Sequence, residues 1–152
     1  KRQAAYLSIL KDFFRCGIAG WCLEILFTSV EAWMRGDVKI MGTTSVIMFP
    51  IYAAGAILPD IVKWCDRWLS GLPGFFKADR EENPCGLKLR HGLIYMVLIY
   101  TGEYIAGSFL MAKGLCPWDY SQWPDQIHGV IRLAFIPFWF GTGLLFESLC
   151  TH

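Results

Sequence analysis

The sequence predicts an all-α, polytopic membrane protein in which four transmembrane helices form two parallel helical hairpins, with one short interfacial helix between them. Three observations support this fold class. Only 18% of the 152 residues are charged and 55% are hydrophobic, whereas a soluble domain carries about 25% charged residues. Four apolar stretches approach the roughly 20 helical residues that cross a bilayer. The two halves of the chain also share the positions of an acid and a proline.

The four apolar stretches must be helical, because lipid offers no partner for the open edge of a sheet. The first is interpreted as a span and not as a signal peptide, since Glu24 interrupts it and no small-residue cleavage site follows. Pro50 and Pro137 lie in the second and fourth. A proline inside a helix frees a backbone carbonyl, so we expect a polar pocket there. The predicted spans are residues 13–33, 44–62, 92–112 and 130–149, in one membrane domain over residues 1–152.

The basic residues predict the orientation. Ten of the 14 lysines and arginines precede the first span, lie in its first turn (Arg15) or lie in the connection at residues 63–90. Because Lys and Arg concentrate on the cytoplasmic side, both termini and this connection are predicted to be cytoplasmic, and the loop at residues 113–129 is predicted to lie outside. The connection opens with apolar residues at helical spacing, which favours an interfacial anchor or a docking surface for a partner or lipid. These are Ile61, Trp64, Trp68 and Leu69.

An internal repeat relates the two halves of the chain. A shift of 79 residues places Glu24 on Glu103, and a shift of 87 residues places Pro50 on Pro137. Each half is then a hairpin with a carboxylate in its first helix and a proline in its second, and the two hairpins run parallel. Chance matching between apolar segments is the alternative.

The two repeated glutamates are the main candidates for function. Glu24 and Glu103 are each about the twelfth residue of a predicted span, so both fall near the bilayer midplane. A charge there costs at least roughly 2.5–3.5 kcal/mol. The pair can share a proton, hold a cation or bind a polar substrate, with Arg132 as the counter-charge. The alternative is that both carboxylates are interhelical hydrogen-bond partners without further function.

The outer loop supplies the remaining candidates. It is rich in aromatic and turn residues, which predicts that it folds over the space between the halves as a cover. His128, just before the fourth span, is interpreted as either a proton carrier or a structural residue. The candidate substrate- or ion-binding residues are therefore Glu24, Glu103, Arg132, Tyr52, Trp139, Trp118, Asp119 and Tyr120.

Motifs for cofactors and metals do not occur in the sequence. The absence of a C-x-x-C pair gives no support to a structural zinc site. Phosphate loops, nucleophile elbows and H-E-x-x-H motifs are absent as well. The cofactor stays unknown, no metal site is expected, and any ATPase that works with this protein is another chain. A net charge of +1 also argues against a nucleic-acid partner.

Four sequence blocks carry a family resemblance. They are Gly20-Trp21-Cys22-Leu23-Glu24, Met48-Phe49-Pro50-Ile51-Tyr52, Cys116-Pro117-Trp118-Asp119-Tyr120-Ser121 and His128-Gly129-Val130-Ile131-Arg132. They resemble the ABC-transporter type IV (CmpB-like) membrane proteins, and the eukaryotic transmembrane protein 229 group is similar. The resemblance covers residues 13–147 and implies a small multi-spanning protein with a role in transport. It transfers no catalytic residues.

The leading interpretation is a transport-related subunit of the cytoplasmic membrane with a midplane carboxylate site. Four spans rarely enclose a translocation path, so we expect a homo-oligomer or a complex with other membrane or ATPase subunits in the lipid bilayer. Whether the protein is an enzyme stays open. One alternative is an intramembrane enzyme for a lipid or isoprenoid, with a glutamate as general acid or base and Arg132 as the phosphate clamp. Another is an assembly or scaffold protein with structural carboxylates.

Overall fold

The computed structural model describes residues 2–71 and 84–150, with side chains from residue 6 onwards. These residues are mostly helical and form two compact units, Lys1–Ile57 and Leu58–His152. Each unit has its own helix packing.

The first unit consists of one long helix with a short helix packed on it. Helix α1 covers Arg2–Met34, and α2 covers Met48–Ala53 before a 3-10 turn at Ala54–Ile57. A Cβ atom at Gly20 would overlap the Tyr52 ring, so the small residue lets α2 approach the α1 backbone closely.

In the second unit, α3 and α5 pack around the N-terminal half of α4. Tyr95 of α4 is fully buried, and a Cβ atom at Gly143 of α5 would overlap it. Val62 of α3 is fully buried as well. The elements are α3 (Leu58–Leu69), α4 (Pro84–Ala112), β1 (Gln126–Ile127), β2 (Ile131–Arg132), a 3-10 turn (Leu133–Phe135) and α5 (Ile136–Cys150). Strands β1 and β2 form an antiparallel hairpin in which Ile127 faces Ile131.

Among the described residues, three helical segments are long and apolar enough to cross a membrane: Tyr6–Met34, Pro84–Ala112 and Leu133–Cys150. They contain the predicted first and third spans and most of the fourth, whose first residues instead form the β hairpin. The four-helix count is not confirmed. In the predicted second span, the hydroxyl of Thr44 and the carbonyl of Ser45 bond to α1 side chains, and the helix that follows them has six residues.

The expectation that prolines free carbonyls inside spans is wrong. Pro50 is the third residue of α2, and Pro137 is the second residue of α5. A proline in the first turn removes an N–H that has no partner within the helix, and its fixed φ suits a helix start. These prolines therefore begin helices and open no pocket within them.

The predicted interfacial helix corresponds to α3. Its Val62 side packs into the second unit, whereas Trp64 and Trp68 are 63% and 67% exposed. This arrangement agrees with an amphipathic helix that presents aromatic rings to the membrane interface. The later part of the predicted connection, residues 72–83, lies outside the described residues.

Candidate functional site

The carboxylate of Glu103 lies on α4 beside Trp139 of α5. Its Oε2 atom is buried and has no hydrogen-bond partner among the residues that the structure describes. Trp139 is 7% exposed. Its indole N–H faces the Glu103 carboxyl, but the two groups do not close to hydrogen-bond geometry. Two of the sequence-predicted residues therefore meet in a polar site with unsatisfied hydrogen-bonding capacity.

The carboxylate of Glu24 has a different environment in the first unit. The Thr44 hydroxyl donates a 2.7 Å hydrogen bond to its Oε2 atom. Tyr52, the candidate neighbour, packs its ring over Gly20 on the preceding turn of α1. Glu24 and Tyr52 belong to the first unit, whereas Glu103 and Trp139 belong to the second. A pocket shared by the two glutamates stays a prediction.

The side chain of Arg132 belongs to the outer loop. Its Nε donates to both Asp125 carboxylate oxygens, at 3.0 and 3.3 Å, and its guanidinium lies 3.7 Å from the centre of the Trp123 ring. The Tyr100 hydroxyl donates to the Arg132 carbonyl at 2.7 Å. Arg132, which the sequence predicted as the counter-charge of the glutamates, is thus paired with Asp125 of the loop.

The candidate cover residues attach the outer loop to the β hairpin. The Trp118 indole donates to the Val130 carbonyl at 3.0 Å, and the Tyr120 amide donates to the Gly129 carbonyl at 2.8 Å. Asp119 accepts the Ser121 amide at 2.9 Å. The ring of Trp118 also lies against Gly107, one helical turn beyond Glu103. The loop therefore closes the outer end of the α4–α5 pair.

His128 lies at the tip of the β hairpin. It adopts a left-handed backbone conformation with φ of 51°, which is uncommon outside glycine. Its Nδ1 is 2.8 Å from the Tyr104 hydroxyl. These contacts support the structural interpretation of His128.

The electrostatics of the outer loop keep its aspartates ionised. Partial desolvation acts to raise the pKa of Asp125, but hydrogen bonds from the Ala134 amide and the Arg132 guanidinium outweigh it, so the pKa lies below its usual value. The Ser121 amide lowers the pKa of Asp119. Burial raises the pKa of the Cys116 thiol, which makes it a poor nucleophile at neutral pH.

Acid is therefore expected to loosen the outer loop. A carboxylate with a lowered pKa in the folded state stabilises the fold fully above its unfolded pKa, about 3.9 for aspartate, and loses this contribution as the pH falls through the folded value. Amide hydrogen exchange in residues 119–134 should accelerate below about pH 4. In Asp125→Asn, this acceleration on acidification should be smaller. An acceleration near neutral pH, or an identical step in the variant, would contradict this assignment.

A cluster of buried charges at the other end of α4 was not predicted from the sequence. Arg90 donates from Nε to Asp66 of α3 at 2.6 Å, and His91 Nδ1 is 3.0 Å from Glu147 Oε2 of α5. Arg90 and His91 are 5% and 4% exposed. In the sequence, Arg90 is only one of the ten basic residues that predict the cytoplasmic side. The available signal was an Arg-His pair directly before an apolar span.

The imidazole of His91 lies between two carboxylates. Its Nε2 is 3.4 Å from Asp66 Oδ1, opposite the contact of Nδ1 with Glu147. The imidazole thus connects α3 and α5 through a carboxylate at each of its two nitrogens. In the described part of the chain, no group of three or more His, Cys, Asp or Glu side chains is arranged to hold a metal ion.

Comparison with known proteins agrees with this membrane architecture. No solved structure matches the chain. A family model described as "Putative ABC-transporter type IV" matches residues 12–152. These are nearly the whole chain and include most of the first and all of the other two described helices of membrane-spanning length. The chain belongs to this family of ABC-transporter-related integral membrane proteins.

Proposed function

We propose that this protein is a membrane subunit of a transporter and that Glu103 is its proton- or cation-binding group. One observation carries the proposal: Glu103 Oε2 is buried on a membrane-length helix and lacks a hydrogen-bond partner within the described ranges. A carboxylate in such surroundings requires a proton, a cation or a donor group. Each of these is a species that a transport cycle can bind and release. The family description supplies the transport context.

Glu24 is proposed as the equivalent residue of the first unit with a weaker role. Its Oε2 already accepts a hydrogen bond from Thr44, and that bond must break before the atom can coordinate a cation. This contact favours the structural interpretation of Glu24, as interhelical hydrogen-bond partners are common in membrane bundles.

Equivalent hydrogen bonds support the internal repeat. In the first unit, the Trp21 indole donates to the Ser45 carbonyl at 3.0 Å. In the second unit, the Tyr100 hydroxyl donates to the Arg132 carbonyl at 2.7 Å. The donors differ by 79 residues and the acceptors by 87 residues, which are the two shifts that align the sequence. In both units the donor lies three residues before the glutamate. We therefore propose two homologous hairpins, with a fourth crossing in residues 44–62.

We also propose an outer cover, a membrane orientation and partners for this protein. Trp118, Asp119, Tyr120 and Arg132 form the outer cover, with Arg132 positioning the loop through Asp125. The excess of basic residues places the termini in the cytoplasm. Few spans rarely enclose a path alone, so the proposed partners are further copies of this chain or other membrane and ATPase subunits.

Infrared titration of the purified protein in lipid nanodiscs tests the role of Glu103. The wild type is expected to show the C=O stretching band of a buried, protonated carboxyl at neutral pH if the ligand is a proton. If the ligand is a cation, Na⁺ or K⁺ should instead shift the carboxylate bands. Glu103→Gln should remove either signal, because the amide neither ionises nor coordinates as a carboxylate.

The matched control is Glu24→Gln, which changes the equivalent glutamate of the other unit and should keep the signal. Spectra of Glu103→Gln that match those of the wild type at every pH and salt concentration would refute the proposed site.

A further inference from the structure

Three buried polar atoms follow the contact between α4 and α5. Within the described ranges, these three and His91 Nε2, which faces Asp66 of α3, are the buried side-chain nitrogen and oxygen atoms without a hydrogen-bond partner. Two of the three belong to the Glu103 site described above, and one lies deeper along α4. We name this contact, with Glu147 at its inner end, the α4–α5 seam. The three atoms are Glu103 Oε2, Trp139 Nε1 and Tyr95 Oη.

The α4 residues of the seam are placed by their contacts with α5. His91 contacts Glu147, Tyr95 packs against Gly143, and Glu103 lies beside Trp139. At 1.5 Å per residue, Tyr95 lies about 6 Å along the axis from His91, and Glu103 lies about 12 Å beyond Tyr95. The two ends of the seam are therefore a few water molecules apart.

Tyr95 occupies the middle of the seam. Its ring packs against Gly143 of α5 and is fully buried. Its hydroxyl faces the Glu147 carboxylate without closing to hydrogen-bond geometry. Glu147 in turn contacts His91 at 3.0 Å.

Bound water in the seam is expected because buried polar atoms without hydrogen bonds are unfavourable. An unsatisfied buried polar group costs about 1–3 kcal/mol, and proteins usually satisfy such groups with bound water that makes about three hydrogen bonds. Donors and acceptors alternate along this seam, since an indole and a hydroxyl lie between carboxylates. A water chain satisfies them together, whereas a dry seam leaves all of them unpaired.

We infer that the α4–α5 seam holds a chain of bound water that carries a proton between Glu103 and Glu147, a step that rests on the proposed function of Glu103. The O–H bond of protonated Glu103 breaks, and its proton passes to the adjacent water. Each water gives one proton onward, and the Tyr95 hydroxyl takes a proton from water while giving its own to Glu147. An O–H bond forms on Glu147, and no electrons are transferred.

Glu147 connects the seam to a cluster of charged side chains. His91 contacts it from α4, and Asp66 of α3 lies on the opposite side of the same imidazole. Arg90 pairs with that aspartate. A proton that reaches Glu147 therefore has further polar groups beyond it.

Tyr95→Phe tests the water chain directly. The variant keeps the ring that packs on Gly143 and removes a hydroxyl that makes no protein hydrogen bond in the described structure. After a pH jump, time-resolved infrared should show Glu103 deprotonating about tenfold more slowly than in the wild type, since one relay group is lost. The wild type should also show O–H stretching bands of internal water that shift in H₂¹⁸O and weaken in the variant. Tyr104→Phe, on the outer turns of α4, is the matched control and should change neither signal.

The outcomes separate the inference from the function on which it rests. Wild-type rates in Tyr95→Phe together with absent ¹⁸O-sensitive bands would overturn the water chain while Glu103 retained its role. Persistence of the wild-type infrared signal in Glu103→Gln would overturn the function itself. If Tyr95→Phe fails to fold, the wild-type spectra decide alone: ¹⁸O-sensitive bands of internal water support the inference, and their absence refutes it.

Discussion

Replacing Arg90 with methionine is expected to lower the free energy of unfolding by about 3–5 kcal/mol. The reason is that removing one partner of a buried ion pair leaves the other charge buried and uncompensated. The Arg90 side chain is 6% exposed and bonds to Asp66 at 2.6 Å. Methionine retains much of the apolar stem, so the loss reports the missing charge more than missing packing. Thermal or denaturant unfolding of the purified protein in detergent measures the change.

Two further variants make this measurement specific. Lys88→Met changes an exposed cation on the same helix and should stay within about 0.5 kcal/mol of the wild type. The double variant Asp66→Asn/Arg90→Met should recover part of the loss, because it removes both charges of the pair. If Arg90→Met is no less stable than Lys88→Met, the cluster does not hold α3 against α4.

Replacing Arg132 with glutamine is expected to loosen the outer loop. The guanidinium stacks on Trp123 at 3.7 Å while it bonds to Asp125, and loss of the stacking alone should cost about 1–2 kcal/mol. Arg132→Lys should restore little, because an ammonium lacks the planar fork that stacks and bonds at once. Limited proteolysis and amide hydrogen exchange over residues 113–135 measure the loosening.

The control for this variant is Lys113→Gln, an exposed cation at the start of the same loop. Faster exchange that is confined to Arg132→Gln and Arg132→Lys supports the positioning role. Full protection in Arg132→Lys would mean that charge alone suffices. The same loop exchange in all three variants would show that the effect is not specific to the Arg132–Asp125 contact.

Local signals in the sequence were sufficient for the helices. The predicted span at residues 92–112 ends where α4 ends, at Ala112, because a long apolar run can only be helical in lipid. The prediction for residues 44–62 was less successful. Its composition is apolar enough, but side chains of α1 bond to Thr44 and Ser45 before α2 begins. Hydropathy does not indicate whether polar groups of a segment will form hydrogen bonds with another helix.

The candidate site was only partly predictable for a similar reason. Glu103 is conspicuous in an apolar run, and its placement beside Trp139 matches two of the predicted residues. The partner of Arg132 was not predictable from the depth at which the sequence places Arg132 in the membrane. Asp125, seven residues earlier in the chain, reaches the guanidinium because the β hairpin returns the chain to it.

The sequence by itself determined that this chain is a helical membrane protein of a recognisable family, and it identified Glu103 as an acid out of place in lipid. Those properties depend on composition and on residues close together in the chain. Only the tertiary structure decided which polar groups meet. Asp66 and Arg90 are 24 residues apart, and His91 and Glu147 are 56 residues apart. Their pairing depends on how α3 and α5 pack on α4, and no local periodicity encodes a contact between separate helices.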